Sequence, residues 1–114
     1  IAQGQTEGTF RATEKPDVTQ SPLPRFDLLN RDAYFMMAIQ FSRGCPFNCE
    51  FCDIINLYGR KPRTKEPNQT IAELQALYDL GWRGSIFVVD DNFIGNQRNV
   101  KRLLRELIPW MQQH

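Results

Sequence analysis

The sequence has a single histidine, and it is the last residue, His114. A structural zinc site, which usually closes with four Cys or His ligands, is therefore short of imidazole. Cysteine is scarce as well, with 3 residues in 114. An odd number gathered in one place excludes the dispersed, paired framework of a small secreted disulfide protein. The compartment is read as reducing, and cytoplasmic. No apolar run approaches the roughly 20 residues that a membrane-spanning helix needs. Neither sign of charge dominates: 14 basic and 13 acidic residues leave +1, which argues against a surface built to seek nucleic acid. Internal repeats and low-complexity tracts are missing too. So is an initiator methionine, Ile1 standing first. The chain reads as one domain or a piece of one, cut from a longer protein.

What is there is concentrated in one stretch. All the cysteines fall in Arg43-Gly44-Cys45-Pro46-Phe47-Asn48-Cys49-Glu50-Phe51-Cys52-Asp53. Their thiols can converge from a single loop, since the chain spans at most about 3.3–3.6 Å per residue. Gly44 reaches backbone angles closed to other residues and Pro46 fixes its own φ, so this loop can fold back on itself. A zinc ion would have to recruit Asp53, Glu50 or water as a fourth ligand. A Cys49-x-x-Cys52 redox pair would leave Cys45 unexplained. An iron–sulfur cluster suits three soft thiolates and keeps one iron open to a ligand. Three thiols without a role are the bland alternative.

The flanking pattern is that of an α/β fold. Residues 1–30 are polar and Pro/Gly-punctuated, an extended arm with apolar anchors at Phe10, Leu23, Phe26, Leu28 and Leu29. Asp27 is placed to cap a short helical turn there. Residues 34–41 form an apolar run, as for a strand buried on both faces of a parallel sheet, and lead straight into the cysteine loop. A helical turn is expected at 53–59. A basic run follows at 60–65, read as a solvated loop kept from helix by Pro62 and Pro67. Thr70-Ile71-Ala72-Glu73 has capping-box spacing ahead of a helix with Ile71, Leu74, Leu77 and Tyr78 on one face, stopped at Gly81. Residues 85–89 make a second buried strand, ending in Asp90-Asp91-Asn92. Asn96 then caps a last helix whose stripe of Val100, Leu103, Leu104, Leu107, Ile108 and Met111 is core, with a bend or local break at Pro109. Strand, helix and parallel strand place the acidic turn and the cysteine loop at the same carboxyl edge, where α/β folds gather ligands.

The Cys-x-x-x-Cys-x-aromatic-Cys spacing after a first strand resembles the radical S-adenosylmethionine enzymes. The resemblance implies that Cys45, Cys49 and Cys52 hold a [4Fe–4S] cluster. Its open iron would chelate S-adenosylmethionine, and an electron would cleave that cofactor to a 5′-deoxyadenosyl radical. It further implies that Phe51 lies near the adenine, and that Asp90, Asp91 and Asn92 stand where the family often has a Gly-Gly-Glu-type segment contacting the cofactor's amino group. The fold implied is a partial (β/α) barrel: the first two βα units, with parallel strands, over residues 31–114. The Pro-rich arm and Phe87-Val88-Val89-Asp90-Asp91-Asn92-Phe93 resemble the branch with an upstream cobalamin-binding domain, which includes methyltransferases. That domain is not in this chain. An enzyme of this kind needs a small-molecule substrate and an external electron donor. The fragment alone is expected to be inactive and to self-associate. A non-enzymatic module with a structural zinc or iron site at the cysteine loop is the competing class.

Overall fold

The computed structural model describes residues 8–9 and 13–114. The arm anchor expected at Phe10 lies outside them. In chain order the elements are β1 (Met37–Ile39), β2 (Ser42–Arg43), α1 (Ile54–Leu57), β3 (Arg63–Thr64), α2 (Pro67–Asp79), β4 (Ile86–Val88) and α3 (Gln97–Gln113), preceded by three single 3₁₀ turns. β1 and β4 pair in parallel, with Met37 opposite Ile86, Ala38 opposite Phe87 and Ile39 opposite Val88. Parallel strands need a long crossover, and α2 supplies it. β2 and β3 form a separate antiparallel pair. The α/β reading therefore holds at the level of one βαβ unit followed by a helix.

The apolar runs were expected to be buried on both faces, and only one face is. Met37 and Ile39 are buried with Phe26, Leu74 and Leu77, and Ile86, Val88, Leu107 and Trp110 pack against them. Phe41 leads a second cluster with Val100 and Leu103. Ala38, Phe87 and Val89 alternate onto the opposite face, where they are exposed. Both long helices cover the same side, and successive strand side chains point to opposite sides.

The same geometry corrects the reading of α3 as a continuous core stripe. Its 17 residues rise about 25 Å, against about 10 Å for a three-residue strand. Val100 and Leu103 reach the core, while Ile108 and Met111 are 51% and 63% exposed. Asn96 caps the helix as expected, its Oδ1 accepting the Asn99 amide at 3.2 Å. Of the bend or local break expected at Pro109, the break does not occur, and the helix runs through it to Gln113. Arg105 and Pro109 are both exposed, so water can serve the carbonyl that proline leaves without a donor.

α2 begins one turn earlier than its expected cap. Pro67 occupies the first helical position, where the missing N–H costs nothing. Glu66 is the N-cap residue, and Gln69 Oε1 accepts its amide at 2.9 Å. Thr70 and Glu73, expected to form the capping box, are buried instead. Glu73 takes an ion pair with Lys65, and the Thr70 hydroxyl has no partner among the described residues. At the far end Gly81 adopts φ +88° and terminates the helix as expected.

The arm docks, but by other contacts than its leucines. Val18 and Phe26 are buried, whereas Leu23, Leu28 and Leu29 are exposed. Its path is set by polar bonds: Lys15 Nζ donates to Leu57 O at 2.9 Å, Arg63 donates to Pro16 O at 2.6 Å, and Gln69 Nε2 donates to Thr19 O at 2.9 Å. Asp17 caps the turn Val18–Gln20, and the Thr19 amide holds its carboxyl below the ordinary aspartate value. Asp27 does not cap the turn assigned to it. The cap position there is Arg25, whose guanidinium Asp27 binds through both oxygens at 2.7 Å.

Candidate metal and cofactor site

The last rung between the parallel strands is Val89 N–H to Ile39 O, at 2.9 Å. Beyond it the chain at 41–43 leaves β4 and turns to pair with β3, so two successive amides would lose their partners. One carboxylate takes both. Asp90 Oδ1 accepts Phe41 N–H at 2.7 Å, and its Oδ2 accepts Ser42 N–H at 2.9 Å and the Ser42 hydroxyl at 2.7 Å. One side-chain carboxylate thus stands in for the ladder partner of two consecutive backbone donors. The next residue continues the arrangement, with Asp91 Oδ2 accepting Gly44 N–H at 2.8 Å. Asn92 Nδ2 lies 3.7 Å from Cys45 Sγ.

The start of the loop is fixed from its other side as well. Cys45 N–H donates to Gly59 O at 3.1 Å. Gly44 has φ +98°, and a Cβ on it would sit 2.9 Å from both Gly59 O and Lys61 O. Only glycine fits that close approach. The far half of the loop is different. Residues 46–51 are all exposed, Phe51 at 94%. They are held by a turn from Cys49 O to Cys52 N–H at 3.1 Å and by Arg60 donating to Asn48 Oδ1 at 2.7 Å. α1 then starts directly after Cys52 and Asp53.

The basic run read as a solvated loop is largely structural. Arg63 and Thr64 form β3; Arg63 also holds Pro16 O and Tyr58 O, and Lys65 meets Glu73 in the interior. Those cations are spent on carbonyls and a buried carboxylate, since unpaired charge is expensive away from water.

The cysteines are free thiols, Cys45 and Cys52 half-buried and Cys49 exposed. In kind and number they suit an iron–sulfur cluster, soft sulfur donors free of disulfides on one loop. In arrangement they are not yet a ligand set: among the described residues no three His, Cys, Asp or Glu side chains are gathered as a metal group. Glu50 and Asp53, weighed as a fourth zinc ligand, are both exposed, and Asp53 accepts the Asn56 side-chain amide. Of the residues expected beside the cofactor, Asn92 reaches Cys45, Asp90 and Asp91 hold the backbone of 41–44, and Phe51 is in solvent. The pattern of residues pointed to the acidic turn as a ligand group. It gave no sign that these carboxylates hold the loop's own backbone, because backbone partners leave no mark on side-chain identity.

No family model matches the chain. Among curated proteins it is 67% identical, over all 114 residues, to an uncharacterized methyltransferase of Synechocystis sp., covering 21% of that protein. It is 42% identical over 113 residues to a hopanoid C-2 methylase of Rhodopseudomonas palustris, 99% of this chain and 21% of the relative. To a hopanoid C-3 methylase of Methylococcus capsulatus it is 38% identical over 76 residues, 60% of this chain and 14% of the relative. The chain thus spans about a fifth of the length of the first two relatives. With its three-cysteine loop at the end of the first parallel strand, and with similarity to these methylases running through that loop, the chain belongs to the radical S-adenosylmethionine superfamily.

Proposed function

We propose that this chain supplies the cluster-binding loop of a radical S-adenosylmethionine methyltransferase. The observation that carries the reading is that all three thiols share one loop, free of disulfides, at the carboxyl end of a parallel strand pair. Cys45, Cys49 and Cys52 are the residues that hold a [4Fe–4S] cluster. When bound, that group supplies an electron for the reductive cleavage of S-adenosylmethionine. Cys45 is set in place by its own amide and by its neighbours, while Cys49 lies in the exposed half of the loop and Cys52, half-buried, ends it. Phe51 offers an exposed aromatic face of the size an adenine needs, next to Cys52. Asn92, beside Cys45, offers a polar group to the cofactor's amino-acid end. Asp90 and Asp91 border the same position, with their carboxylates already turned to the loop's amides.

The relatives named as methylases and methyltransferases are the ground for methyl transfer as the outcome. Neighbouring strands of a (β/α) barrel would close over the sheet face that is bare here and provide the substrate contacts. Cobalamin, the methyl carrier of the branch that the arm resembles, would bind outside these residues. The electron would come from an external donor.

Iron and acid-labile sulfide analysis of anaerobically reconstituted full-length protein is the test. The expected result is four irons per chain by the cubane's stoichiometry, lost when Cys45, Cys49 or Cys52 is replaced by Ala. Stoichiometric zinc without iron would overturn the proposal in favour of a structural metal module.

A further inference from the structure

We infer that Asp90 and Asp91 are positioning residues for the cysteine loop, fixing its first half before any metal arrives so that Cys45 serves as the preset ligand. The inference rests on the proposed function only for the identity of what the loop finally holds. Four of the bonds that shape residues 41–44 end on these two carboxylates, each between 2.7 and 2.9 Å. All four partners are donors of the segment that leads into Cys45. Residues 46–51 are exposed and take a single side-chain bond from beyond the loop, Arg60 on Asn48 Oδ1 at 2.7 Å, itself in solvent. The loop is therefore built in two halves, one rigid and one adaptable. Holding ligands by outer hydrogen bonds is how proteins set metal sites in advance of the metal.

The two carboxylates differ in a way that amides can expose. Asp90 accepts on both oxygens, Oδ1 from Phe41 and Oδ2 from Ser42. An asparagine there would point an NH₂ group at one of the backbone donors and leave both unpaired. Asp91 serves Gly44 through Oδ2 alone, and an asparagine can do the same with its single carbonyl oxygen. Asp91→Asn should therefore rescue what Asp91→Ala loses, while Asp90→Asn should not behave like the wild type. A role through negative charge, as in direct contact with a cationic cofactor group, would make the two Asn variants alike.

The measurement is the rate at which iodoacetamide alkylates each cysteine in the metal-free full-length protein, resolved by peptide mass spectrometry. Cys49 is the internal reference for global folding. In the wild type Cys45 reacts more slowly than Cys49. Asp91→Ala and Asp90→Asn should raise the Cys45 rate roughly tenfold, the factor expected for losing a hydrogen bond to a charged group, and leave Cys49 unchanged. Asp91→Asn should keep the wild-type rate. Iron loss to a chelator from reconstituted protein should follow the same rank order. Unchanged Cys45 rates in all variants, or Asp91→Asn as damaging as Asp91→Ala, would overturn the inference. If Asp90→Asn does not fold, the Asp91 pair alone decides. Because thiol reactivity is read before metal loading, failure of the wild type to take up iron would count against the proposed function and not against this role.

Discussion

Gly44 shows how much of the candidate site hangs on single atoms. Its φ of +98° and the two carbonyls 2.9 Å from any added Cβ are independent objections to a side chain. The first costs on the order of 1–2 kcal/mol for an L-residue, and the second forces main-chain oxygens to move. Gly44→Ala should therefore lower stability by about 2 kcal/mol or more, read as a drop in thermal midpoint. It should also reduce iron uptake, because the displaced backbone carries Cys45. A variant with wild-type melting and full iron content would show that the loop tolerates a different path. At this scale the sequence was informative about residue type and silent about partner. The three cysteines, Gly44 and the acidic turn could all be singled out, since thiols, glycine and clustered carboxylates announce their chemistry. The bonds from Asp90 to Phe41 and Ser42 span 49 and 48 residues of sequence, and no local pattern encodes them.

Among the elements, α2 depends on an ion pair that the sequence did not reveal. Lys65 and Glu73 meet with side chains only 11% and 4% exposed. Removing one partner strands the other charge away from water, at a cost of roughly 3–5 kcal/mol. The pair between Arg102 and Glu66 has ordinary geometry at 2.7 Å but is about half exposed on both sides. Its loss should cost no more than about 1 kcal/mol. Urea denaturation should therefore rank Lys65→Met well below Arg102→Met in stability; equal midpoints would mean that Glu73 is reached by solvent in the folded state. The elements themselves were legible, α2 and α3 from their periodicity and the two parallel strands from their apolar runs. Their boundaries were not. Thr70 and Glu73 have the spacing of a capping box, yet Pro67 and Gln69 start the helix a turn earlier, because tertiary contacts bury Thr70 and Glu73. The β2–β3 pair escaped notice because two residues are too few to show a period.

For the molecule as a whole, the uncovered sheet face is the dominant feature. Phe87 is 57% exposed and Val89 41%, beside Ala38 and Met36. The radius of gyration is 16.3 Å, against about 13 Å for a compact domain of 100 residues. Apolar area and open strand edges of this kind favour pairing between chains. Expressed alone, the 114-residue chain should self-associate in sedimentation velocity experiments, and Phe87→Lys should shift it toward monomer. A monomer that unfolds cooperatively without that substitution would show that the described residues form a closed core in solution. No helix among the described residues is long and apolar enough to cross a membrane.

The way the arm is tied down also has a mechanical consequence. Its anchors are Lys15 on Leu57 O, Arg63 on Pro16 O and Gln69 on Thr19 O. Two of the three are made to main-chain carbonyls of the arm, and all three land on segments that flank the cysteine loop or lie just beyond it. A pull entering at Thr13 is therefore shared in shear among α1, β3 and the first turn of α2. These bonds lie between residue 13 and the loop, so such a pull would load them before Gly44 and Cys45.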